Sequence, residues 1–238
     1  MEKSITNPFL LQDETVRPAQ MELPEELRKK VVILQCESEE GICKVYLVGT
    51  THYSSQSCED VEAIIGFLKP DLVFLELCET RAHRSKPRDP RPTVVPRFID
   101  VMVAMWKKAK KYGGKVILGD RPIEITNQRT WSKMTFWYRT KFVLIVLFML
   151  AALPLASIHK GANNANNANS ANTESIEWHF PSIGETYIHE RDLYMASRLF
   201  EVAKECKSVV AVVGMGHVAG IQKNWKKPMD IETLTYYS

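Results

Sequence analysis

Val209-Val210-Ala211-Val212-Val213-Gly214-Met215-Gly216-His217 decides how this 238-residue chain is read. A short, unbroken apolar run stopped by glycine is the pattern of a strand buried on both faces of a parallel sheet. The histidine follows at the carboxyl edge of that strand, where open α/β sheets present reactive groups. The arrangement occurs twice, because Val45-Tyr46-Leu47-Val48 runs into Gly49-Thr50-Thr51-His52. Glycine at a strand end is by itself only a turn device. Two Gly-x-x-His boxes in matching context point to two imidazoles, His52 and His217, meeting in one cleft.

Working outward, residues 31–34 and 44–48 flank a polar stretch and read as a β-hairpin. Residues 55–68 carry apolar positions at Val61, Ile64, Ile65 and Leu68, a helical period. Leu72-Val73-Phe74-Leu75 and Val116-Ile117-Leu118 read as further buried strands. Between them a helix over about 97–112 is stopped by Gly113-Gly114. A helix near 184–205 precedes the second box, a helix over 217–224 follows it, and residues 231–237 read as a last strand. Strands alternating with helices predict an α/β fold: a mixed, mostly parallel sheet flanked by helices. Residues 1–28 read as a poorly ordered or loosely docked arm, and 29–238 as one domain. Inside it lies an Asn/Ala-rich insertion, residues 160–175, which has too little apolar surface to offset its chain entropy.

Hydrophobic content of 45% and charged content of 25% are those of a globular protein. A net charge of +3 is too small to call for nucleic acid. Five cysteines with no C-x-x-C pair read as free thiols in a reducing compartment. The first twenty residues lack a secretory or transit pattern, which predicts a cytosolic start. Residues 82–96 form a basic, proline-rich stretch that reads as a solvated connector. Residues 142–158 carry no charge and reach the lower length limit for a bilayer span, with Pro154 inside. Aromatic and basic residues precede this run and Lys160 follows it, as at a membrane interface. A single span would put His52, Glu76 and Asp120 on one side and Glu190 and His217 on the other. A helix buried in the domain, or one associated with a membrane face, keeps the two boxes together.

Five motifs then occur in order: Gly49-Thr50-Thr51-His52-Tyr53-Ser54, Glu76-Leu77-Cys78-Glu79-Thr80-Arg81, Gly119-Asp120-Arg121, Glu190-Arg191-Asp192 and Gly214-Met215-Gly216-His217-Val218-Ala219-Gly220-Ile221. Together they resemble the TraB/PrgY family, over roughly residues 31–224. The chain departs from that pattern between the apolar run and the Glu-Arg-Asp motif, where the family has further helices and this stretch is short and Asn-rich. The resemblance implies a fold similar to the erythromycin esterase/ChaN group. Bacterial members shut down a peptide pheromone, the distant TIKI proteins look like metal-dependent proteases, and eukaryotic members are associated with mitochondrial membranes. The expectation is a metal-assisted hydrolase or peptidase, membrane-associated and facing the cytosol, at the mitochondrial outer membrane. Its implied partners are a peptide or protein substrate and a membrane. The alternative is a non-catalytic, membrane-associated regulatory or peptide-binding protein.

In that frame His52 and His217 are candidate ligands of a divalent metal, with Glu190 as the carboxylate and Glu76 as its alternative. Two histidines and one carboxylate leave a coordination position open for water. Without a metal, one histidine serves as general base while Arg81, Arg121 or Arg191 stabilises a developing oxyanion. Glu76 joins these arginines as a candidate catalytic residue. The plainer expectation is that Glu76–Arg81, Asp120–Arg121 and Glu190–Arg191 simply pair within their own motifs, since buried charge needs a partner. Ser54 lacks a nucleophile elbow, and Cys78 reads as a packing cysteine.

Overall fold

The computed structural model describes residues 22–51, 55–84, 98–156, 180–227 and 229–235. Its centre is a five-stranded sheet of β1 (Val31–Ser38), β2 (Gly41–Thr50), β3 (Leu72–Leu75), β4 (Lys115–Leu118) and β5 (Ser208–Gly214), in spatial order β1-β2-β5-β3-β4. The hairpin pair β1–β2 is antiparallel and every other pairing is parallel. The fold is therefore the expected α/β class with a mixed, mostly parallel sheet.

β5 lies between β2 and β3, and alternation along it splits the core into two layers. Val209, Ala211 and Val213 join Val45, Leu47 and Phe74 on one face. That face is covered by Leu199 and Met195 of a long helix and by Ile221. Val210 and Val212 join Val48, Val73 and Leu75 on the other, against Ile64 and Ile65 of one helix and Met102 and Met105 of another. A strand buried on both faces needs an unbroken apolar run, which is why 209–213 carries no polar residue.

The helices, in chain order, are α1 (Glu25–Arg28), α2 (Ser55–Leu68), α3 (Glu79–Arg84), α4 (Phe98–Lys111), α5 (Ile123–Lys133), α6 (Phe136–Ala156), α7 (Pro181–Gly184), α8 (Glu190–Ala203), α9 (Met215–Asn224) and α10 (Ile231–Thr235). A single π-helical turn, Glu185–His189, joins α7 to α8. The arm is docked where it is described, with Leu23 buried in the α2–α4 layer.

Three expectations need correction. Residues 116–118 form the edge strand β4 and are half-buried, not buried, because no strand among the described residues covers their outer side. Residues 231–235 are helical, not a strand. Asp230 accepts the Glu232 backbone N–H through its side chain, a capping bond that starts a helix. The apolar run is also not buried in the domain. α6 is held at its base, where Tyr138 and Phe142 pack on Phe180. Beyond that it projects with Leu144 60%, Phe148 72% and Leu150 58% exposed. No helix among the described residues is long and apolar enough to cross a membrane. The Asn-rich insertion, residues 1–21 of the arm, the basic stretch from 85 onward, and His52 with Ser54 lie outside the described residues.

Candidate functional site

The parallel strands carry their motifs to one edge. β2 ends at Thr50, β3 leads into Glu76, β4 into Gly119-Asp120-Arg121, and β5 into Gly214 and α9. Thr50 lies in register with Gly214, and its hydroxyl donates to the Val213 carbonyl at 3.1 Å. The backbones of the two Gly-x-x-His boxes are thus neighbours. His52 itself, two residues past Thr50, is outside the described residues.

His217 sits in the first turn of α9 with its side chain 13% exposed. Its Nδ1 is 2.6 Å from Asp192 Oδ1. Its Nε2 is 3.3 Å from an Arg191 guanidinium nitrogen. A guanidinium only donates, so Nε2 is the acceptor and the ring proton of the neutral imidazole belongs on Nδ1, facing Asp192. This is the carboxylate–imidazole pairing that fixes a histidine's tautomer and leaves Nε2 as its basic atom.

Asp192 reaches the ring because of Gly220. A Cβ at Gly220 would lie 1.8 Å from Asp192 Oδ2, so any side chain there would displace the Asp192 carboxylate. Gly119 does the same job in the sheet, since a Cβ there would fall 1.8 Å from the Phe74 ring and displace the turn that delivers Asp120.

Arg191 is the hub. It donates to both Asp120 oxygens at 2.9 and 3.0 Å, a bidentate pair, and to Glu76 Oε1 at 2.7 Å. It also donates to the Tyr187 carbonyl at 3.1 Å, inside the π turn. Burial would lower its pKa, but Asp120 and Glu76 outweigh that and raise it, so the cation is locked on. Glu76 accepts the Gly214 backbone N–H at 2.6 Å through its other oxygen. Arg81 is the cation that opens to solvent, 29% exposed and 3.2 Å from Asp120.

Glu190 belongs to a second set of contacts. Arg121, fully buried at its side chain, donates to Glu190 at 2.7 Å, to Thr126 at 3.0 Å and to the Thr186 carbonyl at 2.8 Å. Arg129 grips both Glu190 oxygens at 2.8 and 3.0 Å, and Lys133 adds 2.8 Å. Burial pushes the Glu190 carboxyl up, but hydrogen bonds from Arg129, Lys133 and Arg121 overcome this and hold it at about 2. Burial lowers the pKa of Arg121, with Glu190 opposing.

The structure thus brings Glu76, Arg81, Arg191 and His217 together and places Arg121 with Glu190 in a neighbouring cluster. The acids do not pair within their own motifs. Glu76 and Asp120 are neutralised by Arg191 from α8, and Glu190 by Arg121, Arg129 and Lys133. Long-range pairing wins because the strand ends sit side by side while adjacent residues in a motif point apart. Cys78 is buried, as a packing residue is.

Among the described residues the donors fit a metal poorly, and His52, the other candidate ligand, lies outside them. Glu190 is wrapped by cations, and His217 Nδ1 is taken by Asp192. The atoms nearest Nε2 are Arg191 at 3.3 Å and Glu76 Oε1 at 3.4 Å, the latter itself held by Arg191. A guanidinium occupies the place where an ion would meet these donors. No group of three or more His, Cys, Asp and Glu suited to a metal occurs among the described residues.

The site residues that the sequence does not mark as candidates are Asp192, Gly220, Arg129 and Lys133. Asp192 was legible as the third residue of the Glu-Arg-Asp motif. Arg129 and Lys133 lie four apart on α5 and share one helix face, which is the only signal they gave.

The model of the TraB/PrgY/gumN family matches residues 90–229 of this chain, more than half of its length. The chain belongs to that family. An uncharacterised protein of Methanocaldococcus jannaschii is 31% identical over 215 residues, covering 78% of this chain and 54% of that protein. The TraB domain-containing protein of Mus musculus is 26% identical over 259 residues, covering 85% of this chain and 68% of that protein. That of Homo sapiens is 24% identical, with the same coverage. The chain therefore spans about half the length of its archaeal relative. The TraB-family match takes in α5, α8, β5 and α9, and with them every residue of the Arg121–Glu190 cluster and the Asp192–His217 pair.

Proposed function

We propose that this TraB-family domain is a hydrolase in which the Asp192–His217 pair moves the proton. The observation that carries this reading is the 2.6 Å contact that holds the ring by Nδ1 at the carboxyl edge of the sheet. Nε2 gives up its 3.3 Å contact with Arg191 and takes a proton from water or from an attacking hydroxyl in its place. Arg81, the solvent-facing guanidinium, stabilises negative charge developing on the substrate carbonyl oxygen. Arg191 holds Glu76 and Asp120 still, so the edge does not reorganise when the imidazole becomes charged. The substrate class is an acyl compound, with a peptide favoured by the family resemblance. No step is routed through a metal, because the described donors do not suit one.

Membrane association is the second part of the reading. It is supported by α6, whose apolar residues stand in solvent beyond a base carrying Trp137, Arg139 and Lys141. A stretch of apolar surface this large rarely stays uncovered on a soluble monomer, and aromatic and basic residues suit a headgroup layer.

The test is turnover of a fluorogenic peptide and ester panel by the wild type, His217→Ala and Asp192→Asn, with metal content measured in parallel. The reading expects losses of roughly 10²–10⁴-fold in both variants, the range general acid–base groups supply, with metal content unchanged. Unaltered turnover in a folded His217→Ala protein overturns it. Loss of a bound metal in that variant favours instead an ion shared by His52 and His217. Flotation with anionic vesicles tests the membrane part, and failure to float overturns it.

A further inference from the structure

The sheet carries a second cluster of reactive side chains, at a distance from the cleft. Cys36 on β1 and Cys43 on β2 face each other directly in the antiparallel register. Both side chains belong to one apolar layer of the sheet. Cys43 is fully buried, while Cys36, on the edge strand, is partly exposed. Cys206 lies in the same apolar layer as Cys43. All of these cysteines are free thiols.

We propose that Cys36 and Cys43 form a reversible two-electron redox site, closed by a cross-strand disulfide when a peroxide is present. The geometry requires almost no movement. Directly opposed residues of an antiparallel pair have Cα atoms about 4.5 or 5.5 Å apart, and disulfides span about 4.4–6.8 Å. The register places the two side chains directly opposite each other on one face of the sheet.

Their surroundings assign the roles. Burial raises the Cys36 thiol, with its neighbour Cys43 and the charge of Lys204 working against that rise. Burial, with the neighbouring sulfurs of Cys36 and Cys206, pushes Cys43 up to about 12. Cys36, which a peroxide can reach from the edge strand, is the attacking sulfur, and the fully buried Cys43 is the resolving one. The Cys36 thiolate attacks a peroxide oxygen. An S–O bond forms, the O–O bond breaks, and the leaving oxygen departs as water after taking a proton. The Cys43 sulfur then attacks the Cys36 sulfur. The S–S bond forms, the S–O bond breaks, and the second oxygen leaves as water with the Cys43 proton. Two thiols and one peroxide give one disulfide and two waters. The new bond staples the hairpin whose second strand runs to Thr50 at the cleft edge.

Trypsin makes the test clean, because residues 31–44 are released as one peptide holding Cys36 and Cys43 and no other cysteine. Folded full-length protein is treated with hydrogen peroxide, denatured, alkylated and digested. The expected 31–44 peptide is lighter by two hydrogens, takes up no alkyl group, and regains both on treatment with dithiothreitol. Cys58 and Cys78 stay alkylated, and circular dichroism of the treated protein is unchanged. In Cys43→Ser the peptide instead carries an oxidised Cys36. Full alkylation of Cys36 and Cys43 after peroxide, a crosslink to the Cys206 peptide in place of the hairpin disulfide, or oxidation of all cysteines alike would overturn the assignment.

Discussion

Replacing Glu190 by Gln removes one negative charge from among three cations while keeping shape. The size of the effect follows from two routes. Glu190 is held at about 2 against an ordinary 4.5, and at about 1.4 kcal/mol per pKa unit its ionised form contributes roughly 3 kcal/mol at neutral pH. Independently, removing one partner of a buried ion pair costs about 3–5 kcal/mol, because Arg121 is left buried without its counter-charge. At about 2–4 °C per kcal/mol for a chain of this size, Glu190→Gln melts on the order of 6–20 °C below the wild type at pH 7. The pH dependence gives the sharper check. The folded carboxyl sits below its unfolded value, so protons bind the unfolded state more readily and stability rises with pH. The contribution is fully present above about 4.5 and is lost as pH falls through about 2. Urea melts of both proteins between pH 7 and pH 2 should therefore show a constant gap that starts to close near pH 4.5. Other carboxylates are shared and cancel in the difference. A gap under about 1 kcal/mol at pH 7, or one that ignores pH, would refute the reasoning.

Three further outcomes follow from single contacts. Gly220→Ala places a methyl in the space of the Asp192 carboxylate, so it should cost about 1–3 kcal/mol in chemical denaturation and lower any turnover together with stability. Arg191→Lys cannot keep the bidentate grip on Asp120 while also reaching Glu76. It should destabilise by at least about 2 kcal/mol in urea melts. Leu144→Gln with Phe148→Gln should leave the melting temperature within about 2 °C of the wild type, since both side chains are already in solvent. The same double variant should reduce vesicle flotation.

Much of the sheet was legible because its signals are local. The runs 45–48, 72–75 and 209–213 are apolar without interruption, as parallel strands covered on both faces need, while 116–118 carries the same pattern as the half-buried edge strand β4. Helix α2 declared itself by its period. The last element was misread because apolar and aromatic residues in 231–237 satisfy a strand pattern as well as a helix. The deciding bond comes from Asp230, one residue upstream. The apolar run before the Asn-rich tract could be recognised as helical but not as exposed, since exposure depends on what the rest of the chain leaves uncovered.

The site was legible as a set of residues but not as a set of pairs. Every acid was seen next to an arginine in its own motif. Yet Glu76 and Asp120 are neutralised by Arg191 and Glu190 by Arg121, because pairing is decided by strand order rather than sequence distance. Asp192 gives no signal beyond its place in the Glu-Arg-Asp motif, because its partner His217 lies 25 residues further along the chain. Its role rests on Gly220, whose lack of a side chain has no meaning until α8 and α9 are seen in contact.

The central claim is that Asp192 holds the His217 ring by its Nδ1 proton and leaves Nε2 as the base. Nitrogen NMR of the imidazole tests this without a substrate. The account predicts the Nδ1-protonated tautomer for the neutral ring, with a strongly deshielded Nδ1 proton that disappears in Asp192→Asn. A ring found in the Nε2-protonated tautomer, or one whose spectrum is unchanged by Asp192→Asn, would contradict it.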